Sequence, residues 1–372
     1  MLKDFLAGVR VLDLSQFLPG PFATQLLADM GAEVLKVEPP QGDPQRRFNP
    51  ISGQPWSGGG RSPFYDAVNA GKTVVAIDLK SEAGKGAFGT LVGAADVLLE
   101  SYRPGVLERL GFGPKRVKEL NPGIVHCALS GYGQTGPNRL LAGHDINYIA
   151  STGAFSASGI PERPVLTWPP AADYASALQA ALTITGALVT RARTGKGAHL
   201  DVSLSESMLA WQAFGMIAAG GEGEAGRGRN LLNGGAACYQ IYATGDRRFI
   251  TLGALEPHFW ANFCAAVERA EWTDRQLEPL PQTDLIAEVA ALIGAQPLAH
   301  WQALLKNVDC CYHAVLDYAE ARADPHVKAR RLVTEGESGI GVSFAATVDG
   351  QPPEPRRTVE DVDLETALER WA

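Results

Sequence analysis

The feature that most constrains the fold is a regular alternation between short apolar, β-branched runs and segments with helical periodicity. Continuous apolar runs are typical of strands buried on both faces, and strands that alternate with helices pair in parallel. The runs lie at 9–14, 32–37, 73–78, 96–100 and 124–129, and helical patterns at 20–30, 81–92 and 116–120 separate them. The pattern predicts an α/β fold with a mostly parallel, Rossmann-like sheet.

A glycine-rich segment at 220–235 marks a change in organisation, because few large apolar side chains occur there. Before it, a long helix is predicted over 173–193 and a strand over 198–204. The predicted domains are a large domain at 1–204 that is completed by about 340–372, a linker at 205–236, a smaller α+β domain at 237–325 and a return linker at 326–339.

Composition argues against several classes of function. The chain has 372 residues, is 45% hydrophobic and carries a formal net charge of −8, which disfavours a general binder of nucleic acids or membrane surfaces. The most apolar helical stretch, 175–189, contains Gln179 and two threonines and is unsuited to crossing a membrane. The five cysteines are odd in number and lack CxxC spacing, which indicates reduced, buried thiols and a cytoplasmic protein.

Common cofactor motifs are absent from the sequence. The segment after the first strand, 15–20, lacks the GxGxxG spacing of a dinucleotide site, and neither GxxxxGK[ST] nor HExxH occurs. The seven histidines do not fall at metal-ligand spacings. We therefore expect no metal and no prosthetic group.

Two side chains are candidates for acid/base chemistry: His144, in the run Gly-His-Asp-Ile-Asn-Tyr, and Asp173, in Ala-Ala-Asp-Tyr. An imidazole and a carboxylate on opposite sides of a carbon acid can remove a proton from one face and return one to the other. Taken singly, a histidine near a helix start is most often structural, and Asp173 suits the N-cap of the long helix. Together they favour a functional interpretation, because a carboxylate at a helix N-terminus is held electrostatically at a crevice.

Polar and basic side chains gather near the ends of predicted strands. Ligands bind at the carboxyl ends of parallel strands, so Arg103 and Arg109 are candidates for holding a nucleotide phosphate, and Tyr102 offers a stacking face. Any one of these charges alone is more typical of a solvated loop.

Several short segments have the character of family motifs. They are 8–14, 20–23, 27–34, 101–105 and 130–137, with 143–148 and 253–259 in addition. The first five resemble the family III CoA-transferase (CaiB/BaiF) superfamily. The run at 143–148 and the segment at 253–259, which carries Glu256, resemble the α-methylacyl-CoA racemase branch of that superfamily. The resemblance runs almost end to end.

The resemblance implies a role for each candidate. His144 and Asp173 would be the two acid/base groups, Glu256 would orient or charge His144, and Asp145 and Tyr239 would support them. The implied reaction is epimerisation of a 2-methyl or other 2-substituted acyl-CoA thioester through an enolate. Because the α-proton of a thioester is weakly acidic, such an enzyme must stabilise the enolate oxygen and place each base within reach of the α-carbon.

The resemblance also implies the ligand and the assembly. Coenzyme A would enter as part of the thioester substrate, and the chain would form an interlocked homodimer in which Glu256 and Tyr239 reach the large domain of the partner. The implied contacts of the coenzyme A nucleotide are Tyr102, Arg103, Arg109 and Leu110, with Ser101 and Lys72 as further candidates.

Two positions depart from the racemase pattern, and two alternative functions remain open. Tyr174 follows Asp173 where the racemase pattern has a glycine-rich turn, and Pro39 stands where an arginine is common, so the acyl group is undetermined. In a CoA transferase, Asp173 would instead attack the thioester and form an aspartyl-CoA intermediate. A relative that binds acyl-CoA without catalysis is the second alternative.

Overall fold

The computed structural model describes residues 2–223, 225–336 and 339–371. Position 224, inside the predicted linker, and positions 337 and 338, inside the predicted return linker, lie outside the described residues. The chain divides into two compact units, each built from separate stretches. The first comprises Met1–Ser151, Trp168–Trp211 and Arg322–Ala372, and the second comprises Thr152–Thr167 and Gln212–Ala321.

The elements of the described residues follow in chain order. The strands are β1 (Arg10–Leu14), β2 (Glu33–Glu38), β3 (Phe48–Asn49), β4 (Gln54–Pro55), β5 (Thr73–Ala76), β6 (Val97–Glu100), β7 (Val125–Ser130), β8 (Gly159–Ile160), β9 (Arg163–Pro164), β10 (Ala198–Ser203), β11 (Tyr239–Ala243), β12 (Phe249–Gly253), β13 (Tyr312–Ala314), β14 (Val333–Gly336), β15 (Gly339–Val342) and β16 (Glu360–Val362). The α-helices are α1 (Pro19–Asp29), α2 (Pro63–Asn69), α3 (Glu82–Ala94), α4 (Val106–Arg109), α5 (Pro114–Leu120), α6 (Asp145–Ala150), α7 (Ala154–Ala157), α8 (Ala171–Thr194), α9 (Leu204–Ala210), α10 (Ala213–Ile217), α11 (Pro257–Ala266), α12 (Thr283–Gly294), α13 (Leu298–Leu305), α14 (Tyr318–Ala323), α15 (Pro325–Arg330) and α16 (Leu364–Trp371). Tighter 3-10 turns lie at Leu2–Asp4, Pro44–Arg47 and Ala270–Leu277, and a π-type turn lies at Ala218–Glu222.

The core of the first unit is a seven-stranded sheet in the order β10-β7-β6-β1-β2-β5-β16. All of its neighbouring strands are parallel. Every residue of β6 and β7 is buried, as expected of strands covered on both faces. This confirms the α/β fold with a mostly parallel sheet that the apolar runs predicted.

The sheet order decides where a ligand meets the first unit. Strands β7, β6 and β1 are adjacent, so the loops that follow them, beginning at Gly131, Ser101 and Ser15, leave from the same edge. Crevices outside the carboxyl ends of parallel strands are the usual ligand sites of such sheets.

Helix α8 begins two residues before the predicted start, and its last residue is Thr194. It ends at Gly195, whose φ of 68° lies in the left-handed region that glycine adopts at low cost. Its observed N-cap is Pro170, and Asp173 is the third residue of the helix. The expectation that Asp173 caps the helix is therefore wrong.

The predicted linkers contain regular structure. Residues 204–210 and 213–217 form α9 and α10, and α15 and β14 lie within or at the edge of the return linker. Ser203 caps α9, since its Oγ accepts a hydrogen bond from the N–H of Glu206 (3.2 Å). Serine followed three positions later by glutamate is a signal of a helix start. Leu204 and Met208 form the buried apolar side of that helix.

The second unit contains an antiparallel sheet in the order β11-β12-β13, packed with helices α11 to α13 around a core that includes Trp260, Phe263 and Trp301. Residues 152–167 belong to this unit, although the predicted boundary placed them in the large domain. Hydrogen bonds explain the difference, because Nε of Arg227 donates to the carbonyl of Ile160 (3.2 Å) and further bonds join the two stretches. Such contacts are distant in sequence and leave no local pattern.

All five cysteines are free thiols. Four of them are buried, in agreement with the expectation of buried thiols, whereas Cys311, immediately before β13, is exposed. The expectation of uniformly buried thiols is therefore wrong at that position.

Candidate active site

The first candidate, His144, lies immediately before α6 and is exposed. Its main-chain N–H donates to Oδ1 of Asn147 (3.0 Å), and its carbonyl accepts from the N–H of Asn147 (2.8 Å). These reciprocal bonds fix the backbone of His144 at the helix start. The imidazole is thus presented to solvent on a backbone that is held in place.

Tyr148 anchors this loop to the sheet. Its hydroxyl donates to the carbonyl of Gly143 (2.6 Å), and its ring meets that of Tyr132 edge-on, with centroids 5.1 Å apart. A Cβ at Gly131 or Gly143 would come within 2.5 or 2.8 Å of the Tyr148 ring. Glycine at both positions therefore allows Tyr148 to hold the His144 loop at the carboxyl end of β7.

Asp145 joins the loop to the start of α8. Its Oδ1 accepts hydrogen bonds from the main-chain N–H groups of Ala172 (2.7 Å) and Asp173 (3.2 Å). A carboxylate in this position satisfies free amide groups of the first helical turn and interacts favourably with the helix dipole. The cap of α8 thus comes from a residue 28 positions before Asp173, and it brings the first turns of α6 and α8 together.

Asp173 is partly buried, and its environment favours the protonated form. Burial raises the pKa of Asp173 to about 7 from 3.8, and the negative charge of Asp145 contributes to the rise. Burial also raises the pKa of Asp145, and the hydrogen bonds from the amides of α8 oppose that rise. Adjacent carboxyl groups with perturbed pKa values are characteristic of acid/base sites.

Arg103 belongs to the same neighbourhood. Burial raises the pKa of Tyr148, the charges of Tyr132 and Asp173 raise it further, and the charge of Arg103 lowers it. The guanidinium of Arg103 and the carboxyl of Asp173 therefore both lie within electrostatic reach of the Tyr148 phenol. Arg103 is exposed, and among the described residues no carboxylate forms an ion pair with it.

Apart from Lys72, the other residues predicted to contact coenzyme A lie on the turn that follows β6 and on the short helix α4. Ser101 accepts a hydrogen bond from the N–H of Gln16 (3.2 Å), and Tyr102 and Leu110 pack against the apolar core. Arg109 is exposed, and a Cβ at Gly105 would lie 3.4 Å from its Nη1. The turn thus presents two arginines to solvent on a base that is fixed by its neighbours.

Lys72 lies elsewhere, inside the core of the first unit. Its Nζ is fully buried and donates to Asp13 Oδ2 (3.0 Å), the carbonyl of Pro21 (2.8 Å) and Asn69 Oδ1 (2.9 Å). Burial by itself raises the pKa of Asp13, but the charges of Lys72 and Lys36 outweigh it and hold that pKa below its ordinary value. An ammonium with three acceptors has no donor left for a phosphate, so the structure does not support coenzyme A binding by Lys72.

Replacement of Lys72 by Met is expected to destabilise the protein. It leaves the Asp13 carboxylate buried without its nearest cation, which lowers the free energy of unfolding by about 3 kcal/mol in urea titrations. Lys85→Met, which removes an exposed pair with Glu82, is the matched control and changes the stability by less than about 0.5 kcal/mol. An unchanged midpoint for Lys72→Met would contradict the structural role and restore Lys72 as a candidate ligand contact.

Glu256 and Tyr239 lie in the second unit. Tyr239 opens β11 and pairs with Gly253 of β12, and Glu256 immediately precedes α11. Both side chains are exposed. Burial raises the pKa of Cys311, and the charge of Glu256 raises it further, so the thiol and this carboxylate are neighbours.

One buried acid was not identified from the sequence. Glu100 ends β6, is only 5% exposed and accepts a hydrogen bond from the N–H of Tyr102 (2.7 Å). Burial raises the pKa of Glu100 to about 7, against the opposing effect of that hydrogen bond. The available signal was an acidic residue at the last position of an apolar run, which indicates a buried carboxyl at the ligand edge of the sheet.

Two general features bear on cofactors and membranes. Within the described ranges, no group of three or more histidine, cysteine, aspartate or glutamate side chains is arranged to hold a metal ion. In the same ranges, no helix has the length and apolar character needed to span a bilayer.

Known proteins share both the sequence pattern and the fold. The pattern that defines CoA-transferase family III matches residues 6–359. The chain is 32% identical to human alpha-methylacyl-CoA racemase over 94% of this chain and 88% of that protein. It is 31% identical to the acetyl-CoA:oxalate CoA-transferase of Acetobacter aceti over 88% of this chain and 84% of that protein. A crystal structure of a CAIB/BAIF family protein from Brucella suis superposes with a TM-score of 0.84, at 26% identity and 98% coverage of both chains. The chain therefore belongs to CoA-transferase family III, the CaiB/BaiF family.

Proposed function

We propose that this protein epimerises 2-substituted acyl-CoA thioesters, for which 2-methylacyl-CoA is the representative substrate. In this reaction Asp173 and His144 act on opposite faces of the α-carbon, one removing a proton and the other delivering one. The observation that carries the proposal is the state of Asp173. The pKa of Asp173 is about 7, and the residue lies at the start of α8. There its main-chain N–H donates to Asp145, which connects it to the loop of His144.

This pKa suits a proton carrier. A carboxyl group with a pKa near the working pH is available both as base and as acid. About half of such a group is ionised at pH 7, which also allows attack on a thioester, so the preference for proton transfer rests on His144. A mechanism through an aspartyl-CoA intermediate gives that imidazole no role, although Asp145 links its loop to the start of α8.

The reaction needs two steps at one carbon atom. One base takes the α-proton, and the electrons of the broken C–H bond move to the thioester carbonyl, whose oxygen becomes the enolate oxygen. The other group, which begins protonated, then delivers its proton to the opposite face, and the carbonyl re-forms. No prosthetic group takes part in this scheme.

Arg103 and Arg109 are the proposed contacts of the coenzyme A phosphates. Both are exposed on the turn after β6, and guanidinium groups bind phosphate oxygens through paired hydrogen bonds. The electrostatic coupling of Arg103 to Tyr148 supports a thioester that extends from this turn toward Asp173. Tyr102 and Leu110 pack against the core and are proposed to support the two arginines from below. Ser101, which accepts a hydrogen bond from Gln16, is proposed to hold the start of the same segment.

Arg103→Ala is expected to raise KM for the acyl-CoA about 10-fold while kcat changes little, since phosphate contacts are the same in the ground and transition states. Steady-state kinetics of one acyl-CoA measure both constants. Arg116→Ala is the matched control, because Arg116 is an exposed arginine on α5 that pairs only loosely with Glu119 (3.4 Å). An unaltered KM in Arg103→Ala would contradict the proposed phosphate contact.

The active assembly is proposed to be an interlocked homodimer. Five exposed apolar side chains lie within one stretch of nine residues, as expected of a surface that another chain covers; they are Leu209, Trp211, Phe214, Met216 and Ile217. In this assembly Glu256 and Tyr239 are proposed to orient His144 of the partner subunit. Light scattering should then give twice the 39.6 kDa of one chain, and a monomer would contradict this part of the proposal.

The test of the reaction uses a 2-methylacyl-CoA in deuterium oxide with no acceptor acid present. Incorporation of deuterium at the α-carbon with loss of optical purity is the expected result. Coenzyme A transfer that depends on an added carboxylic acid, without exchange, would establish the transferase reaction in its place. Binding without either reaction would contradict an enzymatic role.

A further inference from the structure

A buried acid that the proposed reaction does not use lies at the start of the turn that carries Arg103. Glu100 is the last residue of β6, and its register partners on the adjacent strands are the apolar residues Leu14 and Ala128. Among the described residues, no lysine or arginine forms an ion pair with Glu100. A carboxylate in these surroundings has lost most of its water without gaining a cation.

Hydrogen bonds connect Glu100 to the backbone of both arginines. Its Oε2 accepts from the N–H of Tyr102 (2.7 Å), the residue before Arg103. Farther along the same turn, the N–H of Arg109 donates to the carbonyl of Gly105 (3.1 Å). Loss of the Glu100 acceptor would leave the N–H of Tyr102 without its partner and free the first peptide groups of the turn.

An acid is more than this backbone contact requires. Glutamine has the same length and presents the same acceptor without the cost of burying a charge. An acid differs from the amide because it exchanges a proton with solvent, and burial raises the pKa of Glu100 to about 7, so the exchange occurs near neutral pH. Burial and then the charge of Glu100 raise the pKa values of Tyr102 and Cys127, so both of these neighbours stay neutral in that range.

The phosphates of coenzyme A would bring negative charge to this turn when they bind to Arg103 and Arg109. Negative charge nearby favours the protonated form of a buried carboxyl group. Phosphate binding and protonation of Glu100 therefore favour each other. By linkage, the affinity for coenzyme A falls as the pH rises and Glu100 loses its proton.

We propose that Glu100 is a positioning residue for coenzyme A, which fixes the turn that bears Arg103 and takes up a proton from solvent when the phosphates bind. The inference rests on one part of the proposed function, the contact of the two arginines with phosphate. It does not depend on which reaction follows, because epimerisation and CoA transfer both begin with the binding of an acyl-CoA.

The experiment measures the Kd of coenzyme A by titration calorimetry at about pH 6 and about pH 8.5. From the lower to the higher pH, Kd of the unaltered protein should rise about fivefold more than Kd of Glu100→Gln, in which the acceptor for Tyr102 remains but the proton cannot exchange. Asp173 and the 3′-phosphate of coenzyme A also titrate in this range, but they are common to both proteins and cancel in the comparison. Glu108→Gln is the matched control, because it removes an exposed acid of α4 and should leave the pH dependence unchanged.

A second variant tests the positioning role. Glu100→Ala removes the acceptor, and it should raise Kd about 10-fold at both pH values and raise KM for an acyl-CoA equally, with little change in kcat. Glu100→Gln should restore the affinity of the unaltered protein at the lower pH, where Glu100 is protonated. A weak affinity in Glu100→Gln at that pH would contradict the positioning role.

The possible failures are distinguishable. The same pH dependence in Glu100→Gln and in the unaltered protein overturns this inference and leaves the proposed function standing. If Arg103→Ala binds coenzyme A as tightly as the unaltered protein does, the phosphate contact is wrong and this inference falls with it, whereas the exchange assay still decides the reaction. Absence of any coenzyme A binding rejects both proposals.

Discussion

Asp173→Asn is expected to lower the rate of epimerisation about 1,000-fold or more, because an amide can neither accept nor deliver the α-proton. The substitution preserves the size of the side chain and leaves the main-chain N–H that Asp145 binds. The rate is measured by starting from a single 2-methylacyl-CoA stereoisomer and following the appearance of the other stereoisomer by chiral analysis. Asp349→Asn, at an exposed position of the same unit, is a control for general effects of charge removal.

The pH dependence of the unaltered protein provides a second measurement on Asp173. The pair is active in either direction only when it holds one proton, so kcat/KM should fall at low pH, where both groups are protonated, and at high pH, where both have lost their protons, with one limb near pH 7 from Asp173. The profile should be the same in both directions, because the ratio of the two kcat/KM values is the equilibrium constant, which does not change with pH. A kcat/KM without a limb near pH 7 would contradict the role of Asp173 as a proton carrier.

Stability separates a catalytic defect from a folding defect in Asp173→Asn. The folded pKa of about 7 lies above the ordinary value of 3.8, so the carboxyl costs stability as the pH rises above about 4, and the cost is complete above about 7. Asn avoids this cost, and the variant should be more stable than the unaltered protein by up to about 4 kcal/mol at pH 8, with little difference at pH 4. Loss of activity together with lower stability at pH 8 would indicate structural damage instead.

His144→Ala is expected to lower the rate of epimerisation by about 1,000-fold as well, while exchange from one stereoisomer persists. Asp173 still removes the α-proton on its own side and returns a solvent deuteron to the same face, so that isomer gains deuterium without inversion. Asp173→Asn should give the complementary pattern with the other isomer. Proton magnetic resonance of the α-position, isomer by isomer, distinguishes the two variants.

The fold should tolerate His144→Ala, because the hydrogen bonds that hold the start of α6 use the main chain of residue 144. Asn147→Ala removes the side-chain acceptor from that pair and tests whether the position of the loop matters as much as the imidazole. Equal exchange from both stereoisomers in His144→Ala would contradict a scheme with two bases.

Much of the fold followed from patterns that are local in sequence. Buried parallel strands require continuous apolar runs, and five such runs predicted β1, β2, β5, β6 and β7 to within a few residues. The end of α8 was equally accessible, since Gly195 supplies a left-handed residue directly after the last helical turn. The short helices α9 and α10 were not predicted, because they adjoin the glycine-rich segment at 220–235 and were assigned with it to a linker.

For the candidate site, too, some features followed from the sequence and others did not. The sequence by itself determined the family, through motifs at fixed spacing, and it identified His144 and Asp173 as the pair to consider. It also placed the turn with Arg103 at the carboxyl end of β6, because that turn directly follows the apolar run at 96–100.

Only the tertiary structure decided what surrounds those residues. Asp145 caps a helix that begins 26 residues later in the chain, Tyr148 packs against two glycines at the end of β7, and Lys72 is enclosed by acceptors from three separate segments. Burial and the charge of Asp145 set the pKa of Asp173, and both depend on how α6 and α8 come together. Residue types and spacing are properties of the chain, whereas solvent exclusion and charge proximity exist only after distant segments have packed, which is why the protonation state of Asp173 was beyond the sequence alone.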